Sequence, residues 1–392
     1  ADQNSGLWSY ADRSKEIKTP GYYSVPLTRY GITAELTATN RVGLHRYTFP
    51  ASDEAAIVFD LENGGCWDKA TETFIEACSE NGIRGYRYSS GWANAQRIYF
   101  HAEFSEPFEN FNVITSANKD GEMLPLYARA DFNTEEGGQI MLKVGLSPVS
   151  MEGAKENMEA ELPGWEFEAV AEAAEKLWNE ELSKIAVETK DEEALKVFYT
   201  ALYHSMIAPS TFCDTDGSYR GADGKVYENP GHTTYTTFSL WDTYRAAMPL
   251  YSIFQSDRYV DFINTMLNIY KEQGKLPVWH LHGCETDCMV GNPGIPPVAD
   301  AIVKGFEGFD YELAFEAMKN SAVKADRGQE FRMKYGYIPC DLFGESVAYD
   351  LEYAIADAAI ANTARHLADN PDVTGEDKEK DEADYEYFSR RS

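Results

Sequence analysis

A chain of 392 residues that carries 65 acidic against 35 basic side chains has a formal net charge of -30. That balance argues against nucleic acid, which needs a basic face to replace counterions, and disfavours an anionic membrane surface. The length suffices for about two or three domains, and no run of roughly 18 apolar residues is present to span a membrane.

Residues 1–150 read as an antiparallel β-sandwich. Strand-like runs fall at 22–25, 32–39, 43–49, 56–60, 84–88, 95–104, 124–132 and 138–144, split by Gly, Pro and Asn, with no helical period between them. The segment 151–190 reads as a helical linker, with one long Ala-, Glu- and Leu-rich amphipathic helix over 166–185. From 191 to 392 the period is helical. Leu195, Phe198, Leu202 and Met206 form one stripe; Tyr259, Phe262, Ile263, Met266, Leu267 and Tyr270 form a second. Segments 298–305 and 311–323 give two more. Val347, Leu351, Ile355, Ala358 and Ala361 give the last, and each stripe is expected in the core. The charge run 370–386 reads as a solvated helix face or loop. Long Gly- and Pro-rich loops, 209–239 and 274–297, join the helices, and such loops on a rigid scaffold are where binding groups sit.

The six cysteines do not make a disulfide framework for this size. Cys66 with Cys78 would close a loop, and Cys284 lies four residues before Cys288; free buried thiols are the plainer reading. The N-terminus is not a signal peptide, the last residues look like mid-helix, and the sequence reads as cut at both ends.

Two stretches crowd polar chemistry beside apolar residues, and both are expected to line one pocket. The first, 277–292, holds Trp279, His280, His282, Cys284, Glu285, Thr286, Asp287 and Cys288 in about one loop and the start of a helix. Glu285 reads as a sugar-contacting or proton-transferring carboxylate, since burial against Trp279 would raise its pKa. Zinc on His280, His282 and a Cys is a weaker alternative, because the spacing matches no usual motif. The plain reading is a helix cap made by Glu285, Thr286 and Asp287. The second stretch is Ser239-Leu-Trp-Asp-Thr-Tyr-Arg245. Asp242 beside the Trp241 ring offers two acceptors and an apolar wall to a sugar. Arg245, three residues on, would share Asp242's helix face. Its plain reading is an Asp cap paired with Arg, with Trp241 in the core.

The stretch 214–224 has the Gly-spaced acidic look of a calcium loop. Tyr219 and Lys225, however, occupy the positions where an EF-hand loop needs Gly and Glu, so an acidic turn fits better. Trp92, in Gly91-Trp-Ala, reads as an edge or core tryptophan. No nucleophile triad or phosphate loop is present.

Taken together, the ordered segments resemble glycoside hydrolase family 92, the calcium-dependent exo-acting α-mannosidases. They are Pro20-Gly-Tyr-Tyr-Ser-Val, Ala34-Glu-Leu-Thr-Ala-Thr, Arg46-Tyr-Thr-Phe-Pro50, Gly91-Trp-Ala, Tyr203-His204, Asp214-Thr-Asp-Gly-Ser-Tyr-Arg-Gly221 and Phe238-Ser-Leu-Trp-Asp-Thr-Tyr-Arg245. Pro249-Leu250, Glu285-Thr286, Met289-Val-Gly291, Asp300-Ala, Lys304-Gly305 and Leu351-Glu-Tyr353 complete the set. The resemblance implies a β-sandwich followed by an (α/α)6 barrel, the first incomplete and the second partial here. It implies exo-acting release of mannose from α-mannosides such as N-glycans or mannans, with inversion, using one carboxylic acid and one carboxylate base. It also implies calcium and an extracellular, periplasmic or cell-surface location. The family's acid, base and His-Gly-Asn-Glu motifs do not occur in this sequence. The catalytic pair is therefore expected beyond Ser392, with Glu285 as the fallback, and this chain alone is expected to be inactive. The substrate contacts carried over are Trp241, Asp242, Arg245, Glu285 and Thr286, with no metal ligand. A non-catalytic glycan-binding module is the alternative.

Overall fold

The computed structural model describes residues 7–64, 67–118, 120–371 and 374–392. It divides into two compact units, 1–206 with 213–219 and 207–212 with 220–392.

The first unit is an antiparallel β-sandwich. Its strands are β1 (Ile17–Thr19), β2 (Tyr22–Leu27), β3 (Ile32–Ala38), β4 (Val42–Phe49), β5 (Ser52–Asp60), β6 (Lys69–Ala77), β7 (Gly82–Ser90), β8 (Gln96–Phe104), β9 (Asn110–Ala117), β10 (Met123–Thr134) and β11 (Gly138–Ser147). One sheet runs β1-β2-β3-β4-β11-β8-β7-β6 and the other β5-β10-β9. Between them lie Phe49, Ile75, Ile83, Phe100, Phe104, Ile140 and Leu142 of the large sheet, against Ile57, Ala128, Ala130 and Phe132 of the small one. Each large apolar side chain buried here contributes about 1.5–3 kcal/mol.

The large sheet is covered on its other face as well, which the period-2 alternation of β4 makes visible. Tyr47 and Phe49 face the sandwich core. Val42 and Leu44 face Met158, Leu162 and Phe167. Those last residues belong to α1 (Met151–Glu161) and α2 (Phe167–Leu182), so the helical stretch after residue 150 packs on the sheet. Ser150 caps α1, its side chain accepting from Gly153 N at 2.9 Å. Close approach requires Gly145 on β11, where a Cβ would meet Ala154 O at 2.3 Å. α3 (Glu192–Ser205) closes the unit, with Leu202 buried.

The second unit holds α4 (Leu240–Thr243), α5 (Ala247–Phe254), α6 (Ser256–Gln273), α7 (Ile295–Val303), α8 (Tyr311–Val323), α9 (Gln329–Tyr335), α10 (Ser346–Ala368) and α11 (Glu376–Ser389). The stripe read on α6 is its buried face, with Tyr259, Ile263 and Met266 at 0% exposure. The stripe read on α10 is buried only at its C-terminal end, where Ala361 is 3% exposed. Val347, Leu351 and Ile355 are 70%, 63% and 42% exposed. α10 instead buries Tyr353, Ala356, Ile360 and Ala364, on the side that packs against α7, α8 and α11. The helix has two apolar faces, and the smaller, Ala-rich one allows close approach. Asp357 lies on the buried face. Its Oδ2 accepts from Arg332 Nη1 at 2.5 Å and Arg391 Nε at 3.0 Å, so one carboxylate joins α9, α10 and the segment after α11.

Candidate functional site

The two chemically dense stretches meet in one small antiparallel sheet within the second unit. Phe238–Ser239 pairs with Trp279–Leu281, which pairs with Cys284–Glu285. The register sets Phe238 opposite His280 and Ser239 opposite Trp279, then His280 opposite Glu285 and Leu281 opposite Cys284. The hairpin loop is His282-Gly283, with φ of +48° and +78°, the two left-handed residues that a two-residue type I′ loop requires. The stretch thus forms a hairpin followed by a loop rather than the start of a helix.

This conformation assigns the histidines. His282 turns the hairpin. His280 is 3% exposed, and neither ring nitrogen has a hydrogen-bond partner among the described residues. Burial, with the nearby His282 adding to it, pushes His280 down to about 3, so the ring is neutral at physiological pH. Among the described residues no three His, Cys, Asp or Glu side chains gather to hold a metal ion, which leaves the zinc reading without a ligand set. No disulfide joins Cys284 to Cys288. Cys66 lies outside the described residues, and so does its suggested pairing with Cys78.

Glu285 is bonded to its own hairpin and to α6. Its Oε1 accepts from Trp279 N at 2.9 Å and Asp287 N at 3.0 Å. Its Oε2 accepts from Val278 N at 2.8 Å and Gln273 Nε2 at 3.3 Å. A carboxylate has about four acceptor positions, and here three backbone N–H groups of the loop and the Gln273 amide of α6 fill them. Glu285 therefore holds the hairpin and has no free acceptor for a sugar hydroxyl. Thr286 is used the same way: its Oγ1 donates to Trp279 O at 2.8 Å and accepts from Cys288 N at 3.3 Å.

Beyond Thr286 the backbone is strained. Asp287, Met289 and Gly291 all have positive φ, at +48°, +78° and +78°; left-handed non-glycine residues cost roughly 1–3 kcal/mol each and need outside support. Arg327 supplies it, donating to Gly291 O at 2.8 Å and to Met289 O. Lys275 Nζ donates to Asp287 Oδ1 at 2.6 Å.

The second stretch forms one helical turn, α4, directly after the sheet. Leu240 is buried, Trp241 is half-buried with its indole Nε1 unpartnered among the described residues, and Asp242 is exposed. Ser239 Oγ donates to Asp242 Oδ2. Asp242 Oδ1 has no partner among the described residues. The expected Asp242–Arg245 face is not formed, because α4 ends at Thr243 and Arg245 lies past it. Arg245 instead pairs with Glu352 of α10. Its guanidinium lies 4.4 Å from the Tyr244 ring centroid and 5.7 Å from that of Trp241.

Glu352 was not legible as a site residue. Its Oε2 accepts from Tyr244 Oη at 2.7 Å, and burial with this carboxylate raises the Tyr244 phenol. Gly291 presses on it: a Cβ there would lie 2.4 Å from Glu352 Cβ. Glu352 thus bridges the strained loop to Tyr244 and Arg245. The available signal was its place in Leu351-Glu-Tyr353, a carboxylate between two large apolar residues on a helix.

Of the 214–224 stretch, residues 214–219 belong to the first unit and 220–224 to the second. Each part turns on one backbone bond, Gly217 N to Asp214 O and Gly224 N to Gly221 O, both at 2.9 Å. Asp216 Oδ1 accepts from Ser218 N at 2.8 Å. Asp214 is 5% exposed and bonded by Ser147 Oγ and Asn157 Nδ2, both at 2.8 Å, and burial raises its pKa. Trp92 packs with Trp67 at 6.1 Å between centroids, and Trp67 is 88% exposed.

Two family models match the chain, the glycosyl hydrolase family 92 N-terminal domain over residues 1–147 and its catalytic domain over residues 153–392. The α-mannosidase BT3965 of Bacteroides thetaiotaomicron superposes with a TM-score of 0.89 at 35% identity, over 98% of this chain and 52% of that one. It has also been solved in complex with mannoimidazole. The inverting mannosidase BT2199 of the same organism gives 0.82 at 26% identity, over 98% and 52%. An uncharacterized secreted glycosidase of Arthroderma benhamiae is 26% identical over 89% of this chain and 46% of its own length. The chain spans about half the length of these relatives.

Proposed function

Because the chain belongs to glycosyl hydrolase family 92, we propose that it serves in exo-acting, inverting removal of mannose from α-mannosides such as N-glycans or mannans. The observation that carries this reading is the joint built by the small sheet and Glu352. It holds Trp241 next to the exposed Asp242, half of whose carboxylate is uncommitted, and sets the Arg245 guanidinium 5.7 Å from the Trp241 ring. An aromatic wall, a free carboxylate and a guanidinium are the groups that hold a sugar ring by its hydroxyls. The likeness to BT3965 supports mannose as that sugar.

Inversion needs a general acid and a general base whose carboxyls stand about 6.5–9.5 Å apart across the glycosidic bond. The carboxylates gathered at the site do not supply that pair. Glu285 accepts from three backbone N–H groups and Gln273, and each oxygen of Glu352 is engaged by Tyr244 or Arg245. The described residues are thus proposed as the sugar-holding wall, with acid and base supplied from elsewhere in the intact enzyme. Calcium is proposed to be held by ligands outside the described residues. Export is proposed from the glycan substrate and the secreted fungal relative. No helix among the described residues is long and apolar enough to cross a membrane.

The missing pair keeps one other reading alive, a glycan-binding unit without chemistry. Calorimetric titration of the 392-residue chain with methyl α-mannoside tests the common part. Saturable binding is expected, and Asp242→Asn should weaken it about tenfold, the worth of a charge-assisted hydrogen bond. No saturable binding, or equal binding by the variant, rejects the sugar site. Release of free mannose by this chain would instead place the acid and base within it and reopen Glu285 as donor.

A further inference from the structure

A carboxylate buried in a helix flank is held there only by the groups that satisfy it. The Glu352 side chain is 11% exposed, and each oxygen has one partner from the Trp241–Arg245 segment. Tyr244 Oη donates to Oε2 at 2.7 Å, and Arg245 Nη2 donates to Oε1. Gly291 closes the third side; with no Cβ, and at φ +78°, it lets the backbone touch the Glu352 stem. Glu352 has little freedom to change rotamer.

The guanidinium it holds is only half covered. The Arg245 side chain is 47% exposed. One edge pairs with Glu352, Nη1 donates to Trp241 O at 3.3 Å, and the plane lies near the rings of Tyr244 and Trp241. A guanidinium has five N–H donors. Two bonds are made here, to Trp241 O and Glu352, and the other donors remain for a ligand on this half-exposed side chain. A free arginine would sample many rotamers. One fixed by a carboxylate keeps its donors aimed before any ligand arrives.

We propose that Glu352 is a positioning residue of the candidate sugar site, clamping Arg245 so that its free N–H groups meet a sugar hydroxyl held beside Asp242 and Trp241. This rests on the sugar-site reading given above. Glu352 touches no sugar itself; it acts through Arg245.

The test is arginine modification by phenylglyoxal in the full chain, read at Arg245 by peptide mass spectrometry, with and without saturating methyl α-mannoside. Glu352→Gln keeps the volume and removes the charge. Without sugar, Arg245 should react about tenfold faster in this variant than in the wild type, as expected when a charge-assisted hydrogen bond is lost. The thermal melt should stay within a few degrees of wild type. Tyr244→Phe, which frees only Oε2, should give a smaller rise and serves if Glu352→Gln fails to fold. Glu352→Asp, which keeps the charge, should lie nearer wild type than Glu352→Gln. An unchanged Arg245 rate in the folded variants overturns the clamp. Methyl α-mannoside should protect Arg245 in the wild type and protect it at least tenfold less well in Glu352→Gln. Equal protection in both overturns the positioning role. If sugar protects neither while the rates still differ, the clamp stands as a local device, and both the sugar reading and the assigned role fall.

Discussion

At the scale of single residues, the second unit keeps two buried polar groups for opposite reasons. Asp357 is 0% exposed and carries two guanidinium partners, Arg332 and Arg391. Removing it leaves Arg332 with Asp350 alone and takes the carboxylate from Arg391, a loss of up to about 3–5 kcal/mol. Asp357→Ala should lower the urea midpoint by that equivalent, and a change under 1 kcal/mol would show the cluster to be idle. His280 is buried without partners. The folded state keeps it neutral down to about pH 3, whereas an unfolded histidine takes its proton near 6.5. Between those values the unfolded chain binds more protons. The contribution of His280 is therefore flat above about pH 6.5 and is lost progressively as pH falls toward 3, by an amount on the order of 4 kcal/mol. His45 and His101 are lowered by burial too, so the measurement is the difference between wild type and His280→Leu across pH 7 to 4. The variant should show the shallower acid loss and, having shed two orphaned nitrogens, should equal or exceed wild type at pH 7. Parallel curves would mean that the ring finds a partner in solution.

At the scale of elements, α10 makes the sharpest prediction. Leu351→Glu on its exposed face should change stability by less than about 0.5 kcal/mol. Tyr353→Ala on the buried face, which also removes the Tyr353 Oη bond to Arg327 O at 2.8 Å, should cost about 3–5 kcal/mol. Denaturant midpoints of the two variants decide which face is core. The same helix shows what a sequence can and cannot say. Its period was plain, but choosing between two apolar faces requires knowing the neighbours. Strands with β-branched and aromatic alternation, such as β4, β8 and β11, were legible. β6 and β9 were not, because Lys-Ala-Thr-Glu-Thr-Phe-Ile-Glu-Ala and Asn-Phe-Asn-Val-Ile-Thr-Ser-Ala spend polar residues on an exposed edge. α1 was hidden by its first-turn glycine and weak apolar stripe. At the site, the composition of both stretches was visible. The saturation of Glu285 was not, since it depends on backbone N–H groups that converge only once the hairpin has turned. Glu352 is more than a hundred residues from its partners, beyond any local pattern.

At the scale of the whole molecule, a net charge of -30 sets a general repulsion that ions screen within about 10 Å at 0.1 M. The melting temperature should therefore rise between 10 and about 150 mM sodium chloride, and a flat or falling curve in scanning calorimetry would show that the acidic side chains are compensated locally. The small sheet of the second unit has a kinetic consequence. Its pairing of Phe238–Ser239 with Trp279–Leu281 joins segments about forty residues apart, and α5 and α6 fill the interval. Closing so long a loop before its helices form would lose more chain entropy than two strand residues recover. The order of events is then dictated: the helices fold first, and the edge that carries Trp241 and Asp242 is stitched on last. The amides of Phe238, Ser239 and Trp279–Leu281 should accordingly exchange with solvent sooner than those of α6, by openings that leave the helices intact. The edge proposed to face a sugar would then be the part of the unit that breathes most readily, and a sugar bound there would register first as a slowing of exchange at those few amides.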